Sequence, residues 1–321
     1  VAAARITFRT LAAALVLALA ACSLTGPALP EDPRQELSDV PFFPQAIHQC
    51  GPAALATALG ATGVITAPAD LAPQVYIPGR RGSLQVEMLA AARNAGRVAY
   101  VLAPRFEDLQ TELAAGNPVL VLQDLGALGI RRWHFAVVVG YAPERDLVIL
   151  RSGTERRRLE PRERFLQSWQ AGGNWAAVVT RPAQPPATAT GDGFIRALTA
   201  AERRIPAAEL DAAHAAALAR WPKDPLVLLA NGNQAYGRGR LREAIARYRA
   251  LLAVEPGNVA GRNNLANALL DAGCPAAALV EARQAAALVR TGSPLADAVA
   301  DTLAKAGSAA TGASLSVCGA E

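Results

Sequence analysis

Lysine is almost absent from this chain: Lys223 and Lys305 are the only two, so nearly all of the positive charge is arginine, as a GC-rich bacterial genome would produce. Histidine is also scarce, with only His48, His134 and His214, and no pair of cysteines or histidines has zinc spacing, so neither a metal nor another cofactor is implied. There is no Arg- or Lys-rich tail interleaved with aromatics, which make up 5% of the residues, and this argues against nucleic acid as a partner. After residue 22 there is no second long apolar run and no Gly-Lys-Ser/Thr phosphate loop, so nothing in the sequence supplies a membrane transporter or its nucleotide engine.

What is present suits two folded domains. The chain has 321 residues, 52% of them apolar, with 32 Lys and Arg against 27 Asp and Glu. That composition excludes a disordered polyelectrolyte and a collagen-like fibre. The basic excess is distributed, with local clusters at Arg80-Arg81, Arg131-Arg132 and Arg156-Arg157-Arg158.

Residues 1–21 carry Arg5 and Arg9 and then an uncharged Leu- and Ala-rich run from Leu11 to Ala21, too short to span a bilayer comfortably and matching a secretory signal peptide. The run ends Leu19-Ala20-Ala21-Cys22, which resembles the processing box of bacterial lipoproteins. That resemblance implies a lipidated Cys22 and a tether over residues 22–38, holding the chain to a membrane of the cell envelope and facing the periplasm. Ser23 after the cysteine favours the outer membrane. In such an oxidising compartment Cys274 and Cys318 could pair, leaving Cys50 as the single thiol, or both could be small apolar residues.

Two periodicities divide the remainder. Between Val40 and Thr180, helical patterns at Gly51 to Leu59, Leu84 to Asn94 and Phe106 to Ala115 precede β-rich runs at Val119 to Gln123, Phe135 to Tyr141, Leu147 to Arg151 and Ala176 to Thr180. Helices first and strands later predict an α+β domain with an antiparallel sheet over residues 39–182. Residues 183–192, rich in Pro, Ala and Thr, read as a linker. From 193 to 310 only helical patterns occur, and Asn233/Asn267, Gly239/Gly273 and Ala244/Ala278 each recur after 34 residues, the tetratricopeptide period. The best copy places Tyr236, Gly239, Ala244, Tyr248 and Pro256 at the consensus positions; Phe194 to Pro222 would be a degenerate first copy and Leu295 to Lys305 a closing helix. Residues 311–321 form a tail. Such an array recruits a protein partner through its concave face, which Asn231, Asn263, Asn264 and Asn267 could line.

The chemistry centres on Gln45-Ala46-Ile47-His48-Gln49-Cys50-Gly51-Pro52-Ala53-Ala54-Leu55. Pro52 suits a first helical turn, and a thiol at a helix N-terminus is biased toward thiolate by the positive end of the macrodipole. From Asp39 to Thr180 the chain resembles the papain-like cysteine peptidases that process bacteriocin precursors after double-glycine leaders. The likeness rests on Gln49-Cys50-Gly51-Pro52-Ala53-Ala54-Leu55, on Trp133-His134-Phe135-Ala136-Val137-Val138-Val139-Gly140-Tyr141 and on Gly116-Asn117-Pro118-Val119-Leu120-Val121. It implies a papain-like fold with Cys50 as nucleophile and His134 as the base that takes the thiol proton and returns it to the leaving amine.

It also implies an oxyanion glutamine six residues before the cysteine and an Asp or Asn that orients the imidazole. This chain departs at both places. Gln45 stands five before Cys50, and Ser152 stands where the acid would be, so Ser152 orients the imidazole without charge and the expected activity is weak or narrow. His48 is read as loop surface. The function implied is a membrane-anchored peptidase that hydrolyses a peptide or amide bond in a protein or peptide substrate. An inactive adaptor acting by protein binding, or acyl transfer to an amine in place of water, are the alternatives.

Overall fold

The computed structural model describes residues 36–45 and 48–311. The expected signal peptide, the lipidation site Cys22, the tail and Cys318, which could pair with Cys274, lie outside the described residues. No helix of the described residues is long and apolar enough to cross a membrane.

The first domain opens with α1 (Cys50–Ala61), α2 (Pro68–Val75) and α3 (Gln85–Asn94), followed by β1 (Val98–Val101) and α4 (Phe106–Ala114). It continues through β2 (Val119–Asp124), β3 (Trp133–Ala142), β4 (Leu147–Ser152), β5 (Glu155–Pro161), α5 (Arg162–Ala171) and β6 (Ala176–Thr180). The six strands make one antiparallel sheet in the order β1-β6-β2-β3-β4-β5. Both faces are covered, so the central strands are apolar throughout rather than alternating with polar residues. Phe135, Val137 and Val139 of β3 face α1 with Leu55 and Leu59, while Ala136 and Val138 face α5 with Phe165 and Trp169. Leu55 and Leu59 are fully buried, each contributing roughly 1.5–3 kcal/mol. This clamp on its apolar sides fixes α1 across the sheet and so fixes where its first residue, Cys50, must lie.

A buried ionic knot ties the chain's entry to the sheet. Glu36 Oε1 accepts from Arg151 Nη1 at 3.2 Å and its Oε2 from Arg157 Nε at 2.6 Å, with the Glu36 and Arg151 side chains 1% and 2% exposed. Arg151 also donates to the carbonyls of Leu37, Ser38 and Val40, holding the segment that leads to Gln45. Removing one partner strands a buried charge, so Arg151→Met should lower stability by about 3 kcal/mol, read from denaturant unfolding; a change under about 0.5 kcal/mol would show that the knot contributes little.

Four elements escape the periodicity. Helix α2 contains Pro73, β1 has four residues between Gly96 and Pro104, and β5 is a charged edge strand held by its pairing with β4, with α5 directly after it. Residues 183–192 are docked rather than loose. Glu112, fully buried, accepts from the amides of Ala187 and Thr188, and Arg220 donates to the carbonyls of Pro185, Pro186 and Ala187. Helix α6 (Gly191–Thr199) then packs Phe194, Ile195 and Leu198 on Val98 of β1, joining the two halves through a shared apolar cluster.

The C-terminal half is all helical: α7 (Ala207–Arg220), α8 (Pro225–Gly237), α9 (Leu241–Val254), α10 (Val259–Asp271), α11 (Pro275–Leu288) and α12 (Ala296–Thr311). The pair starting at Pro225 and Leu241 recurs 34 residues on at Val259 and Pro275. Gly239 and Gly273 take φ of 71° and 75°, the left-handed turn that follows a helix C-terminus, at the same place in both copies. Three of the four asparagines considered for a binding face make hydrogen bonds within the helical half: Asn231 donates to the Val227 carbonyl, Asn264 to Asn233, and Asn267 to Thr302.

Candidate active site

Cys50 is the first residue of α1, half-buried and a free thiol. Gly51 follows because nothing larger fits: a Cβ there would lie 2.1 Å from Ser83 Oγ. The Ser83 hydroxyl is buried against the cysteine's neighbour and has no hydrogen-bond partner among the described residues.

His134 is the second residue of β3, at the end of that strand that emerges from the core. Its Nε2 lies 2.8 Å from Ser152 Oγ at the end of β4, which leaves Nδ1 as the ring nitrogen available for proton transfer. Ser152 is 4% exposed. Asp146, the nearest acid in sequence on β4's side, is committed to the Arg162 guanidinium and the Tyr141 hydroxyl in the turn before β4. Burial first, and then the charges of Arg158 and Arg132, push His134 down to about 4, so the imidazole is neutral at ordinary pH. A neutral imidazole can accept a proton, and with so little affinity for it the proton should pass during attack rather than before it.

Gln45 is fixed by its backbone, its amide donating to the Gly153 carbonyl at 3.0 Å, which sets it beside the turn that follows Ser152. Gln45, Cys50 and His134 line one cleft of about 590 Å³. His48, read from sequence as loop surface, is exposed with φ 63° and also borders this cleft. Sequence reasoning missed most of the remaining lining. It comes from two segments, one carrying Arg80, Arg81 and Ser83 and the other Arg131, Arg132 and Trp133. The second segment is organised by Asp124, whose carboxylate accepts from the amides of Gly126 and Arg132 and is held below its usual range chiefly by the Arg132 amide. The arginine doublets were visible as clusters; that they meet over one cysteine was not.

Residues 37–177 match the family model described as Peptidase_C39 like family. Two solved structures are similar to the chain. One, from Bacillus anthracis and described as a C39-like peptidase, is 20% identical, with the match covering 48% of this chain and 100% of that one at a TM-score of 0.40. The other is the peptidase domain of Streptococcus ComA, a bi-functional ABC transporter involved in a quorum-sensing pathway, at 17% identity, 44% and 98% coverage and a TM-score of 0.37. No curated protein matches the chain. A free cysteine at a helix N-terminus and a strand histidine thus line one cleft inside the segment, residues 37–177, that is similar to the C39-like peptidase family, and an all-helical region follows it.

Proposed function

We propose that the chain is a cysteine peptidase in which Cys50 attacks a peptide or amide carbonyl, His134 relays the proton to the leaving amine, and water then hydrolyses the thioester. Gln45 with the Cys50 amide would hold the oxyanion, and Ser152 would fix the imidazole tautomer. The observation that carries this reading is the shared cleft of Gln45, Cys50 and His134, with Ser152 on the far nitrogen of the imidazole. The test is a peptide mixture digested with wild type and Cys50→Ala and labelled at new N-termini; no cysteine-dependent terminus would sink it. The uncharged Ser152 favours a second reading, a peptide-binding adaptor, which that same outcome would support.

The 34-residue helical repeat supports a tetratricopeptide-type array that brings a protein partner or substrate to the cleft. The Leu-Ala-Ala-Cys box supports lipid anchoring at Cys22 and a periplasm-facing site, with Ser23 favouring the outer membrane. Cys22→Ser should move the protein expressed in bacteria from the detergent phase to the aqueous phase of a cloud-point partition. Retention in the detergent phase would remove the anchor.

A further inference from the structure

We infer that the cleft selects acidic peptide segments, its four arginines engaging Asp or Glu side chains on either side of the bond presented to Cys50. This deepens the peptidase reading and rests on it for the cleavage step, though the binding it requires can be measured separately.

Arg80, Arg81, Arg131 and Arg132 all line the cleft, and among the described residues no Asp or Glu lines it with them. Arginines elsewhere that have acids within reach pair with them, as Arg162 does with Asp146 and Arg262 with Glu281. Among the described residues Arg80, Arg81 and Arg132 have no ion-pair partner, and Arg131 reaches Asp124 only at 3.8 Å while lying over the Trp133 ring. Four like charges facing one hollow repel one another and raise the local concentration of anions. Guanidinium groups suit carboxylates because each can donate two parallel hydrogen bonds. Trp133, Phe135 and Leu84 add apolar wall between the charges, which fits a chain of alternating acidic and apolar residues better than a bare polyanion.

The arginines surround a concave space that contains the nucleophile, whereas a membrane would need them on a convex face; the occupant is therefore a peptide. Its carboxylates would also offset the field of Arg132 on His134, so acidic residues should favour turnover as well as binding.

The experiment uses the full chain carrying Cys50→Ala and two fluorescent Ala-rich peptides, one bearing Glu and the other Gln at the same positions. By anisotropy at low salt the Glu peptide should bind about tenfold tighter or better, and about 0.5 M salt should erase most of that advantage. The double variants Arg80→Gln/Arg81→Gln and Arg131→Gln/Arg132→Gln should each remove most of it. Arg203→Gln/Arg204→Gln, in the helical half, should leave it intact. Equal binding of the two peptides, or selectivity that survives both cleft variants, would overturn the inference. So would arginine-dependent binding to phosphatidylglycerol vesicles with no discrimination between the peptides, which would assign the patch to a membrane surface. Glu selectivity without any cleavage by wild type would sink the peptidase reading alone, and cleavage without selectivity would sink only this inference.

Discussion

Replacing Cys50 with alanine should, on the proposed mechanism, lower kcat/KM on any cleaved peptide by at least about 10⁴-fold, with the melting transition little changed, because the nucleophile supplies the covalent step and no second thiol lines the cleft among the described residues. Its surroundings make that separation clean. The helix behind it is held by Leu55, Leu59 and their neighbours on the sheet, so loss of one half-buried sulfur leaves the α1 packing intact. His134→Ala should fall by a comparable factor, and the double variant should be little worse than either single one, since the two groups act in one step. Progress curves on a fluorogenic peptide check this. Residual activity within about tenfold of wild type in Cys50→Ala would place the nucleophile elsewhere.

The second large effect is expected at Ser152. Among the described residues no acid supports His134, and burial with the Arg158 and Arg132 charges holds it near 4. The imidazole is therefore neutral across the ordinary range, and with His134 as the proposed base the acidic limb of kcat/KM should fall as pH drops through about 4. Ser152→Asp places a carboxylate against Nε2, stabilises the imidazolium that forms during attack, and should raise kcat about tenfold or more. It should also move the acidic limb upward, since a nearby negative charge raises the imidazole's proton affinity. A pH–rate profile of the two proteins reads both effects at once; an unmoved limb would show that residue 152 does not face the imidazole.

The same depression bears on stability. His134 and His214 are both pushed to about 4, mainly by burial, whereas in the unfolded chain each takes up a proton near 6.5. The native contribution is complete above about 6.5, erodes as pH falls through the window between 6.5 and 4, and is lost below it.

Much of this was legible in the sequence where local chemistry and burial agree. Pro52 after Gly51 announced a helix start, and α1 indeed begins at Cys50; the apolar runs of β2, β3, β4 and β6 lie within a residue or two of the strands. The 34-residue recurrence of glycines and alanines appears as two helix pairs whose starts lie 34 residues apart. What stayed hidden depends on contacts distant in sequence. The strand β5 is polar and exists through its ladder to β4, and residues 183–192 look like a free linker until Glu112 and Arg220 are seen to hold them. The cleft's arginines come from two segments some fifty positions apart, so only the fold brings Arg80 and Arg131 to one cleft.

The central claim is that the Cys50 thiol and the His134 imidazole work as a pair across this cleft, and alkylation of Cys50 tests it without needing a substrate. With iodoacetamide at mildly acidic pH, and modification located by mass spectrometry, wild type should react about tenfold faster or more than His134→Ala, while unfolding in denaturant brings the two to the same rate. Equal rates in the folded proteins would contradict the pairing and leave Cys50 a solitary thiol beside a structural histidine.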